Sequence, residues 1–174
     1  MIQAVVYTSN TGSTEQYAKL LGQETGLPVC SLQEAKNTLN AGAQILYLGW
    51  VMASAIQGYA DAIRLYRIPM VCAVGMEPAG KQQELREKNG IPDDTALYTL
   101  QGGYLPDRLH GIQKLMMRMI TGSMAKTLAA KADRKPEEDD LLDLMRHGGS
   151  RVSLEKLAAP IQWCRENLGG AGHE

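Results

Sequence analysis

The chain has 174 residues, with 18 Lys and Arg against 19 Asp and Glu, a formal net charge of −1. Its 44% hydrophobic and 21% charged content is that of an ordinary globular domain with enough length for a real core. There is no basic excess to suggest a nucleic-acid partner, and no apolar run reaches the roughly 18 to 20 residues that a membrane-spanning helix needs.

Residues 2–8, Ile-Gln-Ala-Val-Val-Tyr-Thr, read as a strand that opens the chain with no basic region or cleavage site before it, so no secretory leader is expected. Residues 9–14 follow: Ser9, Asn10, Thr11, Gly12, Ser13 and Thr14. Four hydroxyls and one glycine precede a helix predicted over 14–25, with Tyr17, Leu20, Leu21 and Glu24 at helical spacing and Gly26 as its stop. Such a loop can hold a phosphate without a cation. Its hydroxyls donate hydrogen bonds, the free amides of the helix start point the same way, and the helix dipole favours an anion. Gly12 permits the tight turn. A Walker A loop would need a Lys before Ser or Thr, and the dinucleotide fingerprint would need three spaced glycines; neither is present. The same residues also suit a plain Ser/Thr turn that caps the helix.

A short second strand is expected over 29–32. Residues 45–49, Ile-Leu-Tyr-Leu-Gly, form a continuous apolar run, the mark of a strand covered on both faces. Trp50, Val51, Met52 and Ala53 come next, then a helical stripe of Ile56, Tyr59, Ala60 and Ile63 that Pro69 ends. Residues 70–75 are another buried strand, followed by Met76 and Glu77, the latter read as a helix-start carboxylate. A short exposed helix over 81–89 has Leu85 as nearly its only large apolar residue, and the last strand covers 96–100. Gly102, Gly103 and Tyr104 follow it; the paired glycines imply an unusual backbone, a close approach or a plain turn.

Strands alternating with helices imply a parallel sheet with right-handed crossovers. Five strands with a phosphate loop after the first suggest the order 2-1-3-4-5, with the ligand beyond the carboxyl ends of strands one and three. Loops 8–14, 49–53, 75–79 and 102–106 would then meet over one site. Trp50 is the candidate for contact with a planar ring, or else packs under a neighbouring helix.

From Arg108 onward Leu109, Ile112, Leu115, Met116, Met119, Ile120 and Met124 share a helical face. Lys114, Arg118, Lys126, Lys131, Arg134 and Lys135 populate the same region, and Glu137, Glu138, Asp139, Asp140 and Asp143 reverse the sign near Pro136 as an expected solvated face. The stripe is expected to be core against the sheet; the alternative is contact with a membrane surface or an apolar partner. Cys30, Cys72 and Cys164 have no metal spacing, and Cys30 and Cys72 are expected to be buried thiols of an intracellular protein. His110, His147 and His173 fall outside the ligand loops, no metal site is expected, and the Gly-rich tail 169–174 is expected to be flexible.

The loop Ser9-Asn10-Thr11-Gly12-Ser13-Thr14, with Glu15 after it, resembles the Thr/Ser-x-Thr-Gly-x-Thr loop of the flavodoxin family. The resemblance implies an α/β, flavodoxin-like three-layer sandwich over 1–168, and a noncovalent FMN with its phosphate on residues 9–14. Trp50, Val51, Met52, Ala53, Met76, Gly102, Gly103 and Tyr104 would then lie around the flavin ring. The family's electron carriers are strongly acidic, and this chain is not. Gly102-Gly103-Tyr104, the later Lys114-Leu115-Met116-Met117-Arg118-Met119-Ile120, and residues 148–153 with a closing helix near 154–167 capped by Ser153 form a second likeness. They resemble the flavodoxin-domain branch that includes menaquinone-dependent protoporphyrinogen oxidase. That likeness makes 104–150 a longer helical excursion and implies an oxidoreductase acting on a quinone or a porphyrinogen-like substrate. It is compatible with a cytoplasmic location or one on the inner membrane face. An electron carrier serving protein partners, or a non-redox interaction module, would share the same fold.

Overall fold

The computed structural model describes residues 1–77 and 80–168; the tail expected to be flexible, 169–174, lies outside the described residues. In chain order the strands are β1 (Ile2–Thr8), β2 (Val29–Ser31), β3 (Gln44–Met52), β4 (Ala55–Ile56), β5 (Arg67–Gly75), β6 (Ala96–Gln101), β7 (Gly103–Tyr104) and β8 (Gly149–Ser150). The helices are α1 (Ser13–Thr25), α2 (Leu32–Thr38), α3 (Tyr59–Leu65), α4 (Gln82–Asn89), α5 (Gly111–Ala130), α6 (Pro136–His147) and α7 (Ala158–Leu168).

The main sheet runs β2-β1-β3-β5-β6, all parallel, with β4 folded back antiparallel on the end of β3. This is the expected 2-1-3-4-5 order, since β4 is a hairpin strand outside that path. Successive residues of each central strand serve opposite faces. Val6, Ile45, Tyr47, Val71 and Ala73 pack with α2, α3 and α4 through Leu32, Ala35, Tyr59, Ala62 and Leu85. Val5, Leu46, Leu48, Cys72 and Val74 pack with α1 and α7 through Tyr17, Ala18, Leu21, Ile161 and Cys164. The result is a flavodoxin-like three-layer sandwich.

Several elements depart from the pattern read in the sequence. The stripe after β4 is shorter than expected: Tyr59 and Ala62 are buried, whereas Ala60 and Ile63 face out and α3 stops at Leu65. Pro69 does not end that helix but sits inside β5, where two residues oppose one of β3 in a register shift between the Gln44–Arg67 and Leu46–Met70 pairs. A bulge tolerates a residue that has no N–H to give the ladder. Helix α2 was not expected; Ser31 and Glu34 form a capping box, with Ser31 N–H to Glu34 Oε2 at 2.8 Å and Glu34 N–H to Ser31 Oγ at 3.2 Å. Ser153 does not cap the closing helix, which begins at Ala158 after a 3-10 turn whose cap is Leu154. Cys30 is only half-buried, while Cys72 and Cys164 are buried.

The excursion is a helical hairpin. Its acidic run begins α6: Pro136 takes the first helical position and Glu137, Glu138 and Asp139 fill the first turn, where the dipole favours them. Arg134 donates to the carbonyls of Leu128, Ala129 and Lys131 at 3.3, 3.1 and 3.0 Å, satisfying the C-terminus of α5. Arg151 grips α6 through Asp140 at 2.9 Å and Asp143 at 3.1 Å. The hairpin's own small core is Tyr104, Leu109 and Leu144. The apolar stripe of α5 is not core. Ile112, Leu115, Met116, Met119 and Ile120 are exposed, with Leu115 62% and Met119 68% accessible, because the helix turns its Met117 and Thr121 side inward instead. Of the expected stripe, Leu109 is buried ahead of the helix and Met124 is half-buried. Among the described residues no helix is long and apolar enough to cross a membrane.

Candidate functional site

All four expected loops meet at the carboxyl end of the sheet. Ser9, Asn10, Thr11, Ser13, Thr14, Trp50, Val51, Met52, Met76, Gly103 and Tyr104 line one cavity of about 70 Å³. Pro78 and Ala79, in the third expected loop, lie outside the described residues.

The turn from β1 into α1 forms the hydroxyl-rich end of this cavity. Thr8, the last residue of β1, is hydrogen-bonded at 2.8 Å to the Tyr47 hydroxyl, which also donates to the Gln57 carbonyl at 2.7 Å. Burial pushes the Tyr47 phenol well above its usual range, so it stays a neutral strut. Gly12, at φ 107°, is the N-cap of α1, and no side chain caps the helix. The plain capping turn is therefore not what the hydroxyls build: Ser9 Oγ accepts the Gly12 N–H at 3.2 Å, and the first-turn amides of α1 receive no side-chain cap. Ser13 is only 7% exposed, and its Oγ is buried without a hydrogen-bond partner among the described residues. A buried hydroxyl left unpaired costs about 1–3 kcal/mol, which a ligand oxygen would recover.

Three predicted contacts do not line this cavity: Gly12 serves as the N-cap of α1, and Ala53 and Gly102 are placed elsewhere. Gly102 does not line the cavity; its backbone lies behind Ser13 and Val74, where there is no room for a side chain. Ala53 lines the neighbouring cleft. Gly103 does reach the cavity wall, and its lack of a side chain also lets β8 approach, since a Cβ there would meet the Gly149 carbonyl. The paired glycines thus serve close backbone approach.

The opposite wall is apolar. Trp50 lies within β3, paired with Val74 of β5, rather than in a loop beyond the strand, and it lines the cavity instead of being packed away under a helix. The strand continues through Val51 and Met52 and turns back at once, with Ala53 at φ 49° and Ser54 at φ 61°. Asn89 of α4 clamps this turn, donating to the Ser54 carbonyl at 2.9 Å and accepting the Ile56 N–H at 2.8 Å. Tyr104 is 6% exposed; part of it lines the cavity while its body anchors the small core beneath α5. Glu77 does not start a helix: it precedes α4 and pairs with Lys81 at 3.2 Å.

A second cleft of about 280 Å³ opens beside the first and shares Val51, Met52, Gly75, Met76 and Met117 with it. It runs under α5 past Met124 and reaches Thr99, whose buried Oγ1 also lacks a partner among the described residues. The first cavity alone is far smaller than a whole ligand pocket, whereas with the adjoining cleft it reaches the several hundred Å³ usual for one.

Sequence reasoning did not connect Arg108 with this loop; its exposed side chain does not line the cavity but lies against the loop backbone. No basic residue lies between Tyr7 and Thr14, yet Arg108 Nη1 reaches the loop from the far side and donates to the Thr11 carbonyl at 2.9 Å. Leu109, ahead of α5, and Gln113 and Met117, one turn apart on its inward side, also line the cavity.

Fold and site together define a flavodoxin-like α/β sandwich with a hydroxyl-lined loop at its switch point and an apolar wall beside it. No protein-family model, no curated protein and no solved structure matches this chain.

Proposed function

We propose that this chain binds FMN noncovalently and acts as an oxidoreductase that exchanges electrons with an apolar quinone or a porphyrinogen-like substrate. The observation that carries the reading is the buried, unpartnered Ser13 hydroxyl beside an uncapped helix start, on the same cavity as Trp50. A phosphate fits the first and a planar ring the second. Ser9, Thr11, Ser13 and Thr14 would hold the phosphate, and Trp50, Val51, Met52 and Met76 would flank the ring. When bound, the flavin supplies the electron-transfer chemistry. The chain's side chains bind and orient it and exclude water from its apolar face.

The exposed stripe on α5 supports an apolar substrate over a charge-guided protein partner. The helix carries Lys114, Arg118 and Lys126 and no acidic residue, although the chain as a whole is slightly negative. Apolar residues and cations on one exposed helix suit an anionic lipid surface, where a quinone would be met.

The test is the visible spectrum of the purified protein before and after FMN is added, with bound flavin released and identified. FMN release, followed by anaerobic turnover with quinones or porphyrinogens, supports the proposal. No binding at high FMN concentration overturns it. Replacing Thr11 and Gly12 together should abolish FMN retention; unchanged affinity would sink the assignment of the loop.

A further inference from the structure

Resting on that reading, we infer that Arg108 is the charge partner of the ligand's phosphate and makes the site selective for the phosphorylated flavin over riboflavin. The loop itself offers only neutral donors and the partial positive charge of a helix start, worth roughly half an elementary charge. A phosphate monoester brings about −1.5 to −2 at neutral pH. The missing charge stands close by. Arg108 Nη1 lies 2.9 Å from the Thr11 carbonyl, and the same atom would be 2.9 Å from a Cβ on Gly12. Gly12 is thus what lets a guanidinium lie against the loop backbone.

Arg108 is not committed to another partner. Among the described residues its side chain makes no ion pair, and the Thr11 carbonyl is the guanidinium's only hydrogen-bond acceptor. A guanidinium carries five donors, so most remain available to phosphate oxygens. Its position is fixed from behind: it closes the 3-10 turn Pro106–Arg108, and the next residue, Leu109, is 4% exposed in the hairpin core. Ser13 points to the same ligand independently, through a buried oxygen that has no hydrogen-bond partner among the described residues. The phosphate would therefore be read from two sides, by α1 and by the turn that leads into α5.

The experiment measures dissociation constants of FMN and riboflavin by flavin fluorescence quenching, for the native protein and for Arg108→Gln and Arg108→Lys. Arg108→Gln should weaken FMN about ten- to a hundredfold, the usual effect of losing a charged hydrogen bond, and leave riboflavin unchanged. Arg108→Lys should fall between, since it keeps the charge without the fork. Unaltered riboflavin affinity also shows that the variants still fold. Equal weakening of both flavins, or an unchanged preference for FMN, overturns this inference alone. A native protein that binds neither flavin overturns the functional reading and this inference with it.

Discussion

Gly102 stands directly behind Ser13: a Cβ built on the glycine would lie 3.0 Å from the Ser13 Cβ and 2.8 Å from Val74 Cγ1. The rim of β6 therefore holds the first residue of α1 in place. Gly102→Ala should push the helix start away from the sheet. Overpacking of this kind costs about 1–3 kcal/mol. Thermal unfolding should show a lower Tm, and FMN titration a weaker affinity. A variant with native Tm and native affinity would show that Ser13 does not depend on this contact.

Ala53 at φ 49° pays a local conformational cost that glycine would not. Its side chain is exposed, and the turn's hydrogen bonds run through Ser54, Ile56 and Asn89. Ala53→Gly should therefore stabilise the protein by about 0.5–1 kcal/mol, after the extra freedom of the unfolded chain is subtracted. Asn89→Ala should destabilise it, because the clamp that holds two left-handed residues is lost. Denaturant melts of both variants check the pair, and the same sign for both would contradict the account.

The stripe on α5 should matter for contact and not for folding. Leu115→Gln and Met119→Gln change exposed side chains, so stability should stay within about 0.5 kcal/mol of native. Sedimentation with vesicles containing anionic lipid should fall in the double variant and in high salt. Equal sedimentation of native and variant chains would remove the lipid surface as the partner of this face.

Acid should loosen the hairpin. The hydrogen bond from His147, with Arg151 beside it, holds the Asp143 carboxyl below its ordinary range. Lys131, then the Lys135 amide, do the same for Glu138. A carboxyl with a depressed pKa in the folded state contributes stability that is complete above the ordinary value near 4 and lost as pH falls through the folded one. NMR titration from pH 7 to 2 should show both carboxyls protonating late, with α6 amide shifts moving in step. An ordinary titration of Asp143 would refute this.

The parts that could be read from the sequence are those whose cause is local. Residues 45–49 and 70–75 are apolar without interruption because both faces of their strands are covered, and this two-sided burial gives away a parallel sheet. The loop from β1 into α1 is legible because its hydroxyls, its glycine and its helix are contiguous. Helix α2 escaped because only Leu32 and Ala35 are buried in it, although the Ser31–Glu34 box was there to be read. The α5 stripe shows a different limit. Periodicity tells which side chains share a face, and the tertiary packing decides what that face meets. Arg108 shows a third, since its partner Thr11 is 97 positions away and no local pattern links them.

The two short strands that join Gly103 to Ser150 and Tyr104 to Gly149 have a consequence for how the hairpin is held. They bring the entrance and exit of the α5–α6 hairpin to within about 5 Å, the span of one strand pair. The segment between them leaves and returns at this neck and touches the sandwich again where Arg108 meets the Thr11 carbonyl, while β6, α1 and α7 close the sheet without it. The exposed face of α5 can therefore change without disturbing the sheet, whereas the side that carries Gln113 and Met117 belongs to the cavity and is tied to it.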